Sequence, residues 1–209
     1  MLNASNKKIL IIGGSKIAAR KARSLLPYCN KIIAISEEFS RDFDGLPVNT
    51  IRSIVEDVDL NALIDRDTIV IITTELKHLN RSIEDLCDEK GALYNRVDDR
   101  SSPIIFPAIS EINGTTVTVS TSGKSPSLAK FLRDLLSREA GKYVIALPVV
   151  ERLRKDVLIS KIDMKGKFFE TLFNDRIFWD LITANKPNEA YTQGIEISER
   201  LSKKYKSKK

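Results

Sequence analysis

The chain has 209 residues, 42% hydrophobic and 30% charged, a balance that excludes disordered and fibrous classes. Its net charge of +6 comes from the last ten residues, RLSKKYKSKK, which hold six cations; residues 1–199 carry 28 positive against 28 negative charges. A body without net charge argues against nucleic acid as a partner.

In chain order, Lys7–Ile12 (KKILII) is a short apolar run that reads as a buried strand. Helical spacing follows over Lys16–Leu26, ended by Pro27. Lys31–Ser36, the region Val48–Ile51 and Thr68–Thr73 (TIVIIT) predict three further strands. Leu76–Lys90 predicts a helix stopped by Gly91, and Ala92–Val97 a fifth strand. This alternation predicts an α/β fold with a parallel, Rossmann-type sheet and helices on both faces.

Beyond it, Ile104–Ile112 and Thr115–Thr121 flank Asn113-Gly114, the signature of a β-hairpin. A helix over Pro126–Glu139 is expected, with Ser125 as N-cap and Pro126 at its first position. From Tyr143 onward the spacing is helical, and the tail from Ser202 reads as frayed. The expected divisions are a nucleotide-binding domain over 1–112, a dimerisation and substrate-loop segment over 113–142, and a helical domain with a basic tail over 143–209.

Two cysteines, 58 positions apart and without a CxxC, point to no disulfide framework, and a single histidine argues against a histidine-based metal site. No run is long enough to span a membrane, and MLNASNKK leads straight into a strand without a cleavable signal. A soluble, reduced, cytoplasmic protein is expected.

The turn Gly13-Gly14-Ser15-Lys16-Ile17-Ala18 joins the first strand to the first helix. A dinucleotide fingerprint needs Gly for the tight turn and a small residue for helix–strand packing, roles that Gly13 and Ala18 fill. Ser15 stands where the second Gly is usual. The helix N-terminus offers N–H groups to a phosphate, though the same residues also suit an ordinary strand–helix turn. Glu37, with Glu38 beside it, lies about 20 residues on, where an acid accepts ribose hydroxyls and repels a 2′-phosphate. That would favour NAD over NADP; an exposed acidic loop is the other reading. Asn95-Arg96-Val97-Asp98-Asp99 closes the fifth strand, at the edge where open α/β sheets bind ligands. Asp98 there suits an acid or base, or a turn former. Thr121, Ser122, Gly123, Lys124 and Ser125 form a polar loop ahead of a helix, able to hold carboxylates or simply to cap.

Together the stretches ILIIGGSKIAARKARSLL at 9–26, TTELKHLN at 73–80, NRVDDRSSPIIFPAI at 95–109 and VSTSGKSPSLAKFLR at 119–133 resemble the precorrin-2 dehydrogenase family, which includes the N-terminal part of siroheme synthase. The resemblance covers roughly the first 140 residues. Ser15 replaces a Gly usual in the family, and Ser122 stands where Gly is common. The resemblance implies oxidation of precorrin-2 to sirohydrochlorin, with NAD taking a hydride, in a homodimer built through the hairpin and the following helix. It assigns the cofactor to Gly13, Gly14, Ser15, Lys16, Ile17, Glu37, Glu38, Thr73, Thr74 and Asn95. Asp98 takes the position of the family's carboxylate, as general base. Arg96 and the loop Thr121–Ser125 are assigned to the polycarboxylate substrate, with Arg100 and Arg133 as further cations. No resident metal is implied. In some members the same carboxylate also serves insertion of ferrous iron, so a bifunctional enzyme is an alternative. A nucleotide-sensing module without chemistry is another, one that leaves VSTSGKSP and Asp98 unexplained.

Overall fold

The computed structural model describes residues 4, 6–97, 99, 102–158 and 165–206. They form two compact units, Met1–Phe106 with Ser122–Lys124, and Pro107–Thr121 with Ser125–Lys209. The hairpin and the helix after it group with the C-terminal helices rather than forming a segment of their own.

In the first unit, five parallel strands, β1 (Lys8–Ile12), β2 (Ile32–Ser36), β3 (Asn49–Arg52), β4 (Thr68–Ile72) and β5 (Leu93–Arg96), pair in the order β3-β2-β1-β4-β5. Ile9, Leu10, Ile11 and Ile12 are fully buried because both faces of β1 are covered. Ile9, Ile11, Ala34, Ile69 and Ile71 pack with Ala18, Ala19, Ala22 and Leu25 of α1 (Lys16–Leu25). Their alternates Leu10, Ile12, Ile35, Val70 and Ile72 pack with Leu79, Ile83 and Cys87 on the opposite face. Burying each such side chain contributes about 1.5–3 kcal/mol. The connections leave β1 and β4 in opposite directions, so the crevice beyond their carboxyl ends is a topological switch point, where such sheets bind ligands.

The sequence pattern misses a short helix, α2 (Leu60–Leu63), and two single 3₁₀ turns, Arg41–Phe43 and Val55–Asp57. α3 runs over Lys77–Lys90 and stops at Gly91, which takes the left-handed conformation at φ 66°. Cys29 and Cys87 are free and buried.

The second unit opens with the hairpin β6 (Ala108–Ile112) and β7 (Thr115–Val119). Asn113 and Gly114 both have positive φ, 45° and 78°, as a two-residue hairpin turn requires. β6 begins at Ala108 and not at Ile104, because Pro103 and Pro107 lack the N–H groups a ladder needs. Ile104 instead lies along β5, donating its N–H to the Tyr94 carbonyl at 3.2 Å. α4 (Pro126–Val144) packs on the hairpin. It outlasts the expected end at Glu139, so a division at 142 falls inside it. α5 (Leu147–Leu158), α6 (Lys165–Phe173), α7 (Arg176–Thr183) and α8 (Pro187–Lys206) surround a core of Leu153, Phe168, Leu172, Phe178 and Ile197. α8 corrects the expectation of a frayed tail. It continues through Ser202 to Lys206, and Leu201 packs against that core, while residues 207–209 lie outside the described residues. Among the described residues no helix is long and apolar enough to cross a membrane.

Candidate functional site

The turn after β1 is confined on two sides. Gly13 has φ 118°, and a Cβ on it would overlap the Thr73 hydroxyl. A Cβ on Gly14 would overlap the Glu38 carbonyl oxygen and approach Ser36 Oγ to 2.9 Å. Thr73 donates both its N–H (2.9 Å) and its hydroxyl (2.8 Å) to the Ile12 carbonyl, and Ser40 donates its N–H to the Gly14 carbonyl at 2.8 Å. The glycine turn thus brings together Gly13, Gly14, Thr73 and Glu38, from the ends of β1, β4 and β2. Ser15 caps α1: its Oγ accepts from the Ala18 N–H at 3.4 Å. The N–H groups of Lys16 and Ile17, in the first turn, have no partner within the helix, and the helix dipole adds positive potential there. Both residues are exposed.

Glu37 and Glu38 are exposed in the loop after β2. A residue the motif reading passed over stands beside them. Arg52, in register with Ser36, carries its guanidinium 5.7 Å from the Phe39 ring. An arginine at a β3 end gives no sequence signal until register is known.

At the end of β4, the Thr74 hydroxyl bonds to Asn80 Oδ1, and Asn80 Nδ2 donates back to the Thr74 carbonyl at 3.0 Å. Asn80 is buried, so this pair fixes the turn from β4 into α3. Asn95 lies opposite Ile71 in β5 and is 7% exposed. Its Nδ2 donates to the Ile104 carbonyl at 2.8 Å, which orients the amide, and its Oδ1 has no hydrogen-bond partner among the described residues. An orphaned buried acceptor at this edge of the sheet fits a donor from a ligand or water.

Arg96 ends β5. Its Nη1 lies 2.8 Å from Oε1 of the buried Glu84 on α3, and its Nη2 lies 3.1 Å from Asp99 Oδ2. The guanidinium therefore closes on protein carboxylates. Asn80 closes the TTELKHLN stretch without having been given a role there, and Glu84 belongs to no motif; both are polar positions, four apart, on the buried side of α3. Asp98, the candidate base, lies outside the described residues, as do Arg100 and Ser101. His78 is exposed.

In the loop before α4, Thr121 Oγ1 accepts from the Ser125 N–H and donates to the Ser125 carbonyl, both at 3.0 Å. Ser125 Oγ caps α4 by accepting from the Leu128 N–H at 3.3 Å. Ser122 and Gly123 both take positive φ, 50° and 74°, and Lys124 is exposed. Arg133 turns to Asp134 and donates to the Ile109 carbonyl at 3.1 Å.

The glycine turn, the N–H groups of α1, the acidic loop and the orphaned amide fit a dinucleotide. A sequence family described as "Putative NAD(P)-binding" matches residues 1–108. Siroheme synthase of Actinobacillus succinogenes is 26% identical over 207 residues, 97% of this chain and 42% of that protein. That of Pseudoalteromonas translucida is 29% identical over 177 residues, 84% of this chain and 36% of that protein. The chain thus spans about two fifths of the length of these curated relatives. Among solved structures, "SirC, precorrin-2 dehydrogenase" superposes with a TM-score of 0.66 at 19% identity, covering 94% of this chain and 98% of that one. That likeness shows the fold.

Proposed function

Since the chain belongs to the NAD(P)-binding family that its residues 1–108 match, we propose that it oxidises precorrin-2 to sirohydrochlorin with NAD. The step belongs to siroheme formation, in the cytoplasm, where the buried Cys29 and Cys87 stay thiols. The observation that carries the reading is the meeting of the glycine turn, the Glu38 loop and Thr73 at the switch point. The likeness of nearly the whole chain to part of siroheme synthases supports the choice of substrate.

When bound, NAD supplies the hydride acceptor. Gly13, Gly14 and Ser15 shape the turn, and the Lys16 and Ile17 N–H groups would hold the cofactor's pyrophosphate. Glu37 and Glu38 accept from ribose hydroxyls and disfavour a 2′-phosphate, which selects NAD over NADP. Thr73, Thr74 and Asn95, at the end of β4 and in β5, would complete the cofactor's side of the site. Asp98 removes the proton as hydride leaves the neighbouring substrate carbon. Lys124 and the polar groups of the Thr121–Ser125 loop receive substrate carboxylates; Arg96, paired with Glu84 and Asp99, is not needed for that role. The working form is a homodimer. α4 leaves Leu128, Phe131 and Leu135 exposed at i, i+3 and i+7, one apolar stripe suited to a second copy.

The test is anaerobic turnover of precorrin-2 with NAD, with and without ferrous iron, by wild type and by Asp98→Asn. The substitution keeps shape and removes the basic charge. Turnover should fall at least about 10²-fold, with NAD affinity nearly unchanged. Near wild-type turnover by Asp98→Asn would remove Asp98 from the base role. No oxidation by wild type would reject the reading.

A further inference from the structure

We propose that Arg52 carries the adenine ring of the dinucleotide, on the open side of a guanidinium held over the Phe39 ring. The proposal rests on the nucleotide reading above and deepens it, because the glycine turn and the acidic loop leave the base without a partner. The strand order β3-β2-β1-β4-β5 puts β2 and β3 on one side of the glycine turn and β4 and β5 on the other. A dinucleotide lying across the turn extends over both sides, and an acid after β2 assigns the β2–β3 side to the adenosine half. Glu37 and Glu38 serve the ribose there, and the next side chain along that side is Arg52.

Arg52 ends β3, in register with Ser36, the residue before the two glutamates. Ile51 packs on the α3 face of the sheet, so Arg52, the next residue, turns to the α1 face, where Phe39 packs. The pairing runs on past Arg52, since the Ser53 N–H donates to the Ser36 carbonyl at 3.1 Å. The guanidinium carbon lies 5.7 Å from the Phe39 ring centroid, within cation–π range. Phe39 is itself braced: the buried Phe43 meets it edge-on, with centroids 4.9 Å apart and planes at 77°. The Ser40 N–H bond to the Gly14 carbonyl, 2.8 Å long, ties the loop that carries Phe39 to the glycine turn. The guanidinium and the phosphate-binding turn thus belong to one frame.

The guanidinium is not spent on the protein. Two exposed carboxylates, Glu37 and Glu38, follow its register partner, yet among the described residues Arg52 makes no ion pair and no side-chain hydrogen bond. An exposed cation–π contact adds little stability by itself. A planar guanidinium already seated on one aromatic ring is suited to a flat heteroaromatic base on its other side. A 2′-phosphate is the other ligand an arginine takes at this position, and Glu37 and Glu38 oppose it by charge.

The experiment titrates full-length wild type, Arg52→Met and Arg52→Lys with NADH by fluorescence and with ADP-ribose and NADPH by calorimetry, with Tm as a check of folding. Arg52→Met should weaken NADH binding roughly 3- to 30-fold, the span of a cation–π contact from exposed to desolvated. ADP-ribose keeps the adenosine half and lacks the nicotinamide, so it should lose the same factor. Arg52→Lys keeps the charge without the plane and should lose nearly as much. Tm should stay near that of wild type, since Arg52 is exposed. If Arg52→Met fails to fold, Arg52→Lys decides alone. Wild-type NADH affinity in either folded variant overturns the proposal. So does a loss for NADH that ADP-ribose does not share, which would take Arg52 away from the adenosine half. A larger loss for NADPH than for NADH would make Arg52 a phosphate ligand and overturn it too. A wild type that binds none of the three overturns the nucleotide reading and this proposal with it. A wild type that binds NADH while Arg52 is indifferent overturns this proposal alone.

Discussion

Gly14→Ala tests whether the glycine turn is built by close backbone approach. The new Cβ would overlap the Glu38 carbonyl oxygen and lie 2.9 Å from both the Glu38 carbonyl carbon and Ser36 Oγ. Two of these three atoms are backbone, so no side-chain rotation relieves the clash. The loop after β2 must move, and the Ser40 N–H bond to the Gly14 carbonyl, 2.8 Å long, is strained or lost. Overpacking of this kind costs about 1–3 kcal/mol, and the lost hydrogen bond about 1 kcal/mol net. The stiffer unfolded chain of the alanine variant returns about 0.4–1 kcal/mol. The net expectation is a destabilisation of about 1–3.5 kcal/mol, read from urea midpoints. NAD affinity, followed by NADH fluorescence, should fall more than about tenfold, or 1.4 kcal/mol, because Glu38 moves with the loop. Gly45→Ala is the control. Gly45 has φ 72° but nothing near its Cβ position, so it carries only backbone strain and should leave NAD binding alone. A Gly14→Ala variant with wild-type midpoint and affinity would refute the packing argument. Lost stability with intact affinity would make the turn structural and remove it from the cofactor site.

Phe131 is 59% exposed in the apolar stripe of α4. If that stripe meets a second copy, Phe131→Glu should shift sedimentation at micromolar concentration from dimer to monomer, and a wild type already monomeric there would reject the dimer. Lys21 carries a pH prediction. Burial, with Arg20 second, brings its pKa from 10.5 to about 8, although its Nζ sits 3.8 Å over the Phe106 ring, a contact that favours the charged form. Because the folded pKa is depressed, the unfolded chain binds more protons between the two values. Stability should therefore rise from pH 8 toward pH 10.5, and below pH 8 the full penalty applies. Lys21→Met should flatten that rise and stabilise the protein at pH 7 by about 1–2 kcal/mol, discounted for partial exposure, as read from urea midpoints. An unchanged slope would place the titration elsewhere.

The strands and the main helices were legible because their signals are local. β1 and β4 are near-continuous apolar runs, α1 has its alanine face, and Asn113-Gly114 and Ser125-Pro126 announce a turn and a cap. The site's glycine turn was legible for the same reason. What escaped depends on register and tertiary pairing. Asn80 and Glu84 are polar residues of a charged helix whose burial, 1% and 4% exposed, follows only from the docking of α3. Arg96, taken from the sequence as a cation for substrate, closes on Glu84 and Asp99 because β5 ends beside α3. Arg52 comes to the acidic loop only through the pairing of β3 with β2. Ser202–Lys206 reads as tail by composition, yet α8 runs through it, directly after Leu201, which packs on the core.

The two serines that stand in for glycine act in opposite senses. Ser15 has φ −71° and ψ 171°, a conformation open to any residue, so glycine is not needed for its backbone. Its hydroxyl takes the Ala18 N–H, and such caps contribute about 1 kcal/mol. The same bond uses one of the free donors of the helix N-terminus and stabilises the first turn. Ser122 gains nothing comparable from its backbone. At φ 50° it holds a left-handed conformation that is costly for a residue with a Cβ, and Gly123 follows it with φ 74°. Two successive left-handed residues give a curvature that the Thr121–Ser125 bonds lock at both ends. The strain at Ser122 is thus carried by its neighbours. The loop keeps its shape with a side chain at a position whose backbone conformation favours glycine.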